Sequence, residues 1–175
     1  MALVRRIRPG EAPLLPAVET DSDQTMRQTP YAYIADEPVD PPGRYQAVAD
    51  AGTVWVTTDD AGAIVGFVAC GGHEDGAVVY QLSVAQAAQK QGRGSALVVA
   101  AIDWARSAGY SRLMLTTFRD VPFNAPFYRR FGFRETAYAD APPSLRHMLD
   151  HEAAMGHDPQ KRVGMVLPLT ETDEA

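Results

Sequence analysis

Hydrophobic residues in the middle of the chain form three runs of strand length in close succession. The runs cover residues 53–60, 63–70 and 77–85, and a short turn and the Gly-rich segment 71–76 separate them. This spacing predicts an antiparallel meander of three strands. The second run, AIVGFVAC, is apolar on both faces, which predicts a central strand that lies under helices.

Helical and strand patterns alternate after this meander. Leu97, Ala101, Trp104 and Ala108 fall on one helical stripe, and Gly109 is expected to end that helix. The remaining patterns predict strands at residues 3–8, 112–118, 133–138 and 161–169, and helices within 11–28, 44–51, 124–131 and 142–155. The Pro-rich and aromatic stretch 29–43 is expected to be an ordered loop. These elements predict an α/β fold with a mixed sheet.

Composition limits the classes of protein that these elements can form. A chain of 175 residues favours one domain, residues 1–175, which can fold without a metal or a disulfide. Cys70 is the single cysteine, as is typical of a reducing cytoplasm. The start, MALVRRIRPG, has no apolar leader segment, and no run approaches the roughly 18 apolar residues of a membrane span. We therefore expect a cytoplasmic protein that does not bind membranes.

The net charge argues against nucleic acid as a partner. There are 16 basic and 22 acidic residues, which give a charge of −6. Nonspecific binding to nucleic acid requires a basic face. A small anionic ligand remains compatible with this charge, because local clusters matter more than the total.

One such local cluster is the segment Gln-Lys-Gln-Gly-Arg-Gly at residues 89–94, between a predicted strand and the long helix. Glycines allow a ligand to approach the backbone, and unpaired N–H groups at a helix start attract phosphate. Lys90 and Arg93 add positive charge. An ordinary strand-to-helix turn would use the same glycines for geometry alone. The segment lacks both the Gly-Lys-Ser/Thr of a P-loop and the full G-x-G-x-x-G of a dinucleotide fold.

Two longer motifs make the functional interpretation more specific. LSVAQAAQKQGRGSALV carries Gln89, Gly92 and Gly94 in the spacing Gln/Arg-x-x-Gly-x-Gly/Ala, and LTTFRDVPFNAPFYRRFGFRE has an Asn and a Tyr ahead of a Gly-Phe. In order and spacing, the two segments resemble the acyl-CoA loop and the following motif of the GNAT superfamily of N-acetyltransferases. The resemblance covers about residues 3–168. It implies a single domain with a mostly antiparallel central sheet flanked by helices.

The resemblance also implies a reaction, in which acetyl passes from acetyl-CoA to a primary amine of an unidentified small-molecule acceptor, directly within a ternary complex. The backbone around Gln91–Ser95 would cradle the pyrophosphate, and the fourth strand would offer main-chain groups to the pantetheine and the thioester carbonyl. Asn124 would hold the pantetheine arm, and Tyr128 would protonate the departing thiolate. The expected acetyl-CoA-binding residues are Leu82, Ser83, Val84, Gln89, Lys90, Gln91, Gly92, Arg93, Gly94, Ser95 and Asn124.

Two of these residues also have plainer interpretations. Asn124 precedes Ala125 and Pro126, so it is a natural N-cap for the short helix that follows. Tyr128 is compatible with a packed core aromatic, like Phe127 and Phe131. However, it lies four residues after Asn124, on the same helical face, which favours a shared role in the site.

The sequence departs from the family pattern at the general base. Many members carry a Glu on the fourth strand, whereas this chain has Gln81, and an amide cannot accept the proton. The base must then lie elsewhere, be a water relay, or be unnecessary for an amine with a low pKa. The candidate side chains are Glu19, Asp120, His73 and Glu74, and all four are expected at the surface.

The acceptor is expected to meet the first helices and the loop 29–43. An aromatic and acidic set suited to an ammonium group lies there, although a solvated acidic loop would have the same composition. The set comprises Tyr31, Tyr33, Asp36, Glu37 and Asp40. His147 and His151 have the i, i+4 spacing of metal ligands, but a solvated helix face explains them better, and no metal is expected.

Two other classes of protein remain as alternatives. A sensor or interaction domain would bind acyl-CoA without turnover, and the absent Glu supports it. A binder of nucleotide phosphates would prefer ATP or NAD to CoA. The oligomeric state stays open, with a homodimer compatible with the sequence.

Overall fold

The computed structural model describes residues 3–39 and 41–170. Within that part of the chain, seven strands form a sheet in the spatial order β1-β2-β3-β4-β5-β7-β6. The strands are β1 (Val4–Arg6), β2 (Val54–Thr58), β3 (Ile64–His73), β4 (Gly76–Val84), β5 (Arg112–Phe118), β6 (Arg134–Thr136) and β7 (Arg162–Pro168). The helices are α1 (Leu15–Asp23), α2 (Pro42–Asp50), α3 (Arg93–Ser107), α4 (Ala125–Arg129) and α5 (Pro143–Ala154). A short 3-10 turn precedes α1, and two others follow it at Gln24–Gln28 and Ala32–Asp36. A further 3-10 turn lies between β4 and α3 at Gln86–Ala88.

Most neighbouring strands run antiparallel, as the resemblance implies. Antiparallel pairs join β1 to β2, β2 to β3, β5 to β7 and β7 to β6. The parallel pair joins β4 to β5, where Ala77 lies opposite Leu113 and Val78 opposite Met114. The C-terminal strand β7 therefore lies between β5 and β6, an arrangement that the order of the elements along the chain does not reveal.

The chain divides into two compact units. The first contains the chain up to residue 71 together with residues 79–103. Its core joins α1, α2, β2 and β3, because alternate strand residues point towards the helices. Tyr45 of α2 meets Phe67 of β3 edge to face, with ring centroids 5.2 Å apart. The buried members of this core are Ala12, Leu15, Val18, Tyr45, Val54, Val56, Phe67 and Ala69.

The second unit contains residues 72–78 and the chain from residue 104 onward. Helix α5 packs closely on β7, since a Cβ at Gly164 would lie 2.9 Å from Cδ2 of Leu145. A half-buried ion pair also joins these two elements, with 2.8 Å between the guanidinium of Arg162 and the carboxylate of Glu152. The Thr116 hydroxyl of β5 donates to the same carboxylate. Helix α5 is thereby attached to both central strands of its unit.

The structure corrects two details of the sequence interpretation. The predicted Gly-rich turn is shorter, because Gly71 and Gly72 belong to β3. A side chain at Gly71 would collide with the ring of Tyr80, and one at Gly72 with the ring of Tyr110, so these glycines allow aromatic packing rather than a turn. The helical stripe of α3 was wrong at Ala108, which lies beyond the last helical residue and is exposed.

Candidate active site

The loop between β4 and α3 presents a row of backbone N–H groups. Among the residues that the structure describes, none of the six N–H groups from Lys90 to Ser95 has an acceptor, and the first helical bond is donated by Ala96 to Gly92. Lys90 and Gly92 have positive φ angles of 58° and 78°. Successive N–H groups in such a turn form a concave anion site, and the N-terminal end of α3 adds its partial positive charge. Such an arrangement of N–H groups is suited to an anion.

Gln89 fixes this loop from within. Its side-chain Nε2 donates to the carbonyl oxygen of Val84 at 2.9 Å and to the hydroxyl of Thr25 at 2.9 Å. Gln91 donates in the same way to the carbonyl of Ala87 at 3.0 Å. The first residue of the sequence motif thus holds the loop in shape, and its amide is already engaged by the protein.

The two basic residues of the loop have different surroundings. The guanidinium of Arg93 donates to the Thr58 carbonyl at 2.6 Å and to the Thr57 hydroxyl at 3.1 Å, which ties the start of α3 to the end of β2. Lys90 is exposed. Arg93 therefore serves the fold at these atoms, and Lys90 is the loop cation that faces solvent.

The end of β4 is also partly engaged. The Val84 N–H donates to the hydroxyl of Ser22 on α1 at 3.3 Å, and its carbonyl accepts from Gln89. Backbone groups alternate along a strand, so Leu82 points to the same edge of β4 as Val84. The opposite edge faces β3, where the N–H of Ala85 donates to Val65. Leu82 is consequently better suited than Val84 to offer main-chain groups to a ligand.

Gln81 stands where many family members have Glu, and its side chain is held by a neighbour. Its Nε2 donates to the hydroxyl of Ser83 at 3.0 Å, and Ser83 is only 1% exposed. Residues i and i+2 share one face of a strand, which explains the contact. The amide neither accepts a proton nor points freely into solvent.

Asn124 lies in the second unit, directly before α4. Its side-chain oxygen accepts from the hydroxyl of Thr117 at 2.7 Å and from the N–H of Phe118 at 3.4 Å. Its side chain makes no capping bond to α4. Asn124 is the N-cap residue of α4, as the plainer interpretation expects, but only its carbonyl accepts helical bonds, and the side-chain amide Nδ2 remains as a donor.

Tyr128 lies one turn further along α4 and is half-buried. Its ring packs edge to face against Phe127 at 5.2 Å and against Phe133 at 5.8 Å between centroids. The contacts hold the ring, so that the phenol has a defined direction. Core packing and a role for the hydroxyl are compatible in this arrangement.

The four side chains considered as the base separate into two groups. Asp120, His73 and Glu74 are exposed, as expected. The expectation of a surface position was wrong for Glu19, which is 7% exposed and accepts a hydrogen bond from the hydroxyl of Tyr45. Helix α1 buries this face against α2, and only the tertiary contact shows that a carboxylate is included in it.

Sequence reasoning missed a fifth candidate side chain, the carboxyl group of Asp23. It lies at the end of α1 and is half-buried. Burial raises the pKa of Asp23 to about 6, and the negative charge of Glu37 contributes in the same direction. Within the described ranges, Asp23 has no hydrogen-bond or ion-pair partner. The i, i+4 spacing from Glu19 was the one sequence signal that could have drawn attention to it.

The aromatic and acidic set of the loop 29–43 is only partly available to a ligand. Asp36 forms an ion pair with Arg27 at 2.6 Å, and this pair holds the pKa of the Asp36 carboxyl below its usual value. Tyr31 is buried, whereas Tyr33 is 45% exposed. Glu37 lies near Asp23. Asp40 lies outside the described residues.

Other candidate chemistry is limited. Cys70 is fully buried, and burial raises the pKa of its thiol, so it is no nucleophile. Among residues 3–39 and 41–170, no group of three or more His, Cys, Asp and Glu side chains is placed to hold a metal ion. His147 and His151 are exposed on α5. None of the helices in the described ranges has the length and apolar character needed to cross a membrane.

A surface cavity of about 240 Å³ lies between α5 and β7 in the second unit. Its lining includes Arg119, Tyr138, His157 and Arg162, and none of the residues expected to bind acetyl-CoA. Arg162 is paired with Glu152, and Arg119 with Glu135. Both arginines therefore have acidic partners inside the protein, so the cavity is a poor phosphate site.

Several solved structures have a fold similar to that of this chain. The ribosomal-protein-S18-alanine N-acetyltransferase of Escherichia coli aligns with a TM-score of 0.67 and 16% identity, over 99% of this chain and 97% of that one. The protein yncA from Salmonella typhimurium, solved with acetyl-CoA, aligns with a TM-score of 0.68 and 18% identity, over 98% and 96%. N-acetylglutamate synthase from Neisseria gonorrhoeae aligns with a TM-score of 0.68 and 17% identity, over 98% of this chain but 36% of that larger chain.

A model of the acetyltransferase (GNAT) family matches residues 19–133, which include β4, the loop and α4. The chain belongs to this family. The expected family, the α/β fold, the acyltransferase class and acetyl-CoA as the co-substrate are thereby confirmed. The single domain, the homodimer, the cytoplasmic location and the site residues stay predictions.

Proposed function

We propose that this protein transfers an acetyl group from acetyl-CoA to the primary amine of a small-molecule acceptor, directly within a ternary complex. The observation that carries the proposal is the row of six N–H groups at the start of α3, in a loop with the family's motif spacing. A pyrophosphate is the part of acetyl-CoA that requires such a row of donors. Leu82, Asn124 and Tyr128 supply the remaining roles.

Each role follows from the chemistry of thioester aminolysis. Attack of the amine on the carbonyl carbon produces a tetrahedral oxyanion, and a fixed main-chain N–H on β4 would stabilise it. The C–S bond then breaks, and the thiolate takes the proton of the Tyr128 phenol, a side chain that can donate its O–H proton. The Asn124 amide would donate to the pantetheine arm. Cys70 is too buried to carry the acetyl group, which supports direct transfer.

Two measurements on the full chain test this function. Calorimetry with acetyl-CoA, ATP and NAD reports which ligand binds, and a thiol-release assay with acetyl-CoA and an amine panel reports turnover. We would use spermidine, glutamate, an aromatic amine and an alanine-initiated peptide. The proposal expects binding of acetyl-CoA and thiol release with at least one amine.

The other outcomes identify the alternatives. Binding of acetyl-CoA without thiol release on any amine would favour a sensor, which the held amide of Gln81 already supports. Tight binding of ATP or NAD with indifference to acetyl-CoA would mean that the loop is a nucleotide-phosphate site. Either result would overturn the proposed function.

A further inference from the structure

The proposed reaction needs a group that removes a proton from the amine, and the expected positions do not provide one. Gln81 is an amide, and its side chain is bonded to Ser83. Glu19 is enclosed in the core with the Tyr45 hydroxyl. His73 ends β3 and Glu74 follows it in the turn, so both lie at the opposite end of β4 from Val84, and both are exposed. Asp120, beyond β5, is exposed as well. A half-buried carboxyl group on an element bonded to the end of β4 is a better candidate than these side chains.

The last turn of α1 is fixed against that end of β4. Ser22 accepts from the N–H of Val84 at 3.3 Å, and the carboxylate of Asp21 accepts from the N–H of Gln86 at 2.7 Å. Just beyond the helix, the hydroxyl of Thr25 accepts from Gln89 at 2.9 Å. Three bonds thus hold one helical turn to β4 and to the following loop. Asp23 directly follows Ser22 in this turn, so its backbone is held beside the end of β4.

The surroundings of Asp23 supply acids and no cation that pairs with it. Glu37 follows the turn Ala32–Asp36, and Glu19 lies one turn earlier on α1. Arg27, one turn later, is bound to Asp36. The other ionisable side chains on the packed elements are Tyr33 before Glu37, and Arg44, Tyr45 and Asp50 on α2. Like charges and partial burial both make a carboxyl group more basic.

We infer that Asp23 is the general base of the proposed transfer, an inference that rests on the proposed function. The acceptor arrives as an ammonium ion, and the Asp23 carboxylate takes one of its protons. The nitrogen lone pair then forms the C–N bond, the C–S bond breaks, and Tyr128 gives its proton to the sulfur. Asp23 releases its proton to solvent, and Tyr128 regains one as the amide product loses its second N–H proton. The sum is ammonium and acetyl-CoA to amide, CoA and one proton.

The role predicts a characteristic pH profile. A base whose pKa lies near 6 gives a kcat/KM that rises through pH 6 and then levels. Asp23→Asn should lower kcat by about 10²-fold or more at pH 7 and remove the rise near pH 6, with the Kd of acetyl-CoA within twofold. Asp23→Glu should restore part of the rate. Glu37→Gln removes a like charge, so the rise should move to lower pH while the rate at pH 8 is retained.

A matched variant distinguishes the proposed role of Asp23 from a general effect of removing an acidic side chain. Asp60 is exposed in the turn between β2 and β3, and Asp60→Asn should leave both kcat and the pH profile unchanged. A second readout needs no acceptor: the carboxyl carbon of Asp23, followed by NMR, should titrate near pH 6, and titration near pH 4 would overturn the inference.

Failure of the base assignment and failure of the proposed function give different results. If the wild type releases thiol and Asp23→Asn keeps kcat within threefold with the same rise near pH 6, the inference falls and the proposed function stands. If the wild type binds acetyl-CoA and no amine of the panel releases thiol, the proposed function falls, and the base assignment falls with it.

Discussion

The side-chain oxygen of Asn124 accepts a hydrogen bond from the hydroxyl of Thr117 at 2.7 Å. Thr117 is only 4% exposed on β5. This bond fixes the orientation of the Asn124 amide, which would otherwise rotate. The amide oxygen is bonded within the protein, and the amide nitrogen remains as a donor. Thr117 belongs to the second motif segment but is not one of its defining residues, and it orients the amide of Asn124 for the proposed contact with a ligand.

This contact gives the first prediction. Thr117→Val removes the donor at nearly constant volume, so the Asn124 amide loses its fixed orientation. We expect the Kd of acetyl-CoA to rise about fivefold, which corresponds to roughly 1 kcal/mol, as measured by calorimetry. Thr116→Val is the control, because that hydroxyl bonds Glu152 instead. It should lower the free energy of unfolding but leave the affinity unchanged, and equal affinity losses in both variants would contradict the role of Asn124.

The second prediction concerns the phosphate position at the start of α3. Gly94→Asp adds a negative side chain next to the unpaired N–H groups, and the Kd of acetyl-CoA should rise more than about tenfold, or 1.4 kcal/mol. Gly43→Asp places the same acid in the first turn of α2, where a Cβ meets nothing within 4 Å. This control variant should bind acetyl-CoA with the affinity of the wild type. An affinity of Gly94→Asp within twofold of the wild type would show that the phosphates lie elsewhere.

The third prediction concerns Tyr128. Phe at this position keeps the ring contacts with Phe127 and Phe133 but removes the proton donor. With an amine that the wild type acetylates, Tyr128→Phe should lower kcat by about 10²–10⁴ while the Kd of acetyl-CoA and the stability stay nearly unchanged. Tyr138→Phe removes an exposed hydroxyl bonded to Asp150 and serves as the control. If kcat of Tyr128→Phe falls less than threefold, another group protonates the thiolate.

The fourth prediction concerns stability and pH. The pKa of Asp23 is about 6 in the folded protein, above its ordinary value of 3.8. Between pH 4 and pH 6 the unfolded chain ionises first, so this group lowers the free energy of unfolding as pH rises, and the loss is complete above pH 6. Asp23→Asn should therefore be more stable than the wild type at pH 8, by the order of 1 kcal/mol after solvent screening, and about equal at pH 4.

Denaturant unfolding at pH 4 and pH 8 measures this difference in stability. Asp36 provides a comparison, because its pKa is shifted in the opposite direction. The ion pair with Arg27 lowers the pKa of Asp36, so its contribution to stability is present above pH 4 and is lost as the pH falls. Asp36→Asn should therefore be less stable than the wild type at pH 8. A pH-independent effect of Asp23→Asn would contradict the raised pKa.

Local patterns in the sequence were sufficient for the elements that carry the motifs. Strand β5 has the predicted bounds, residues 112–118, because one apolar run fills one buried strand. The loop before α3 was predicted from its glycines, since the left-handed conformation of Gly92 and the free N–H groups of a helix start are local properties. For the same reason, the sequence alone identified the family and the type of co-substrate.

Tertiary structure decided what depends on contacts between residues far apart in the chain. The position of β7 between β5 and β6 is a choice of pairing that no local pattern encodes. Glu19 and Asp23 look alike in sequence, as two acids on one helix. Packing encloses Glu19 with Tyr45 and leaves Asp23 half-buried beside Glu37 without a cation. Charge and periodicity specify where a carboxylate lies along the chain, whereas its basicity depends on which groups the fold brings around it.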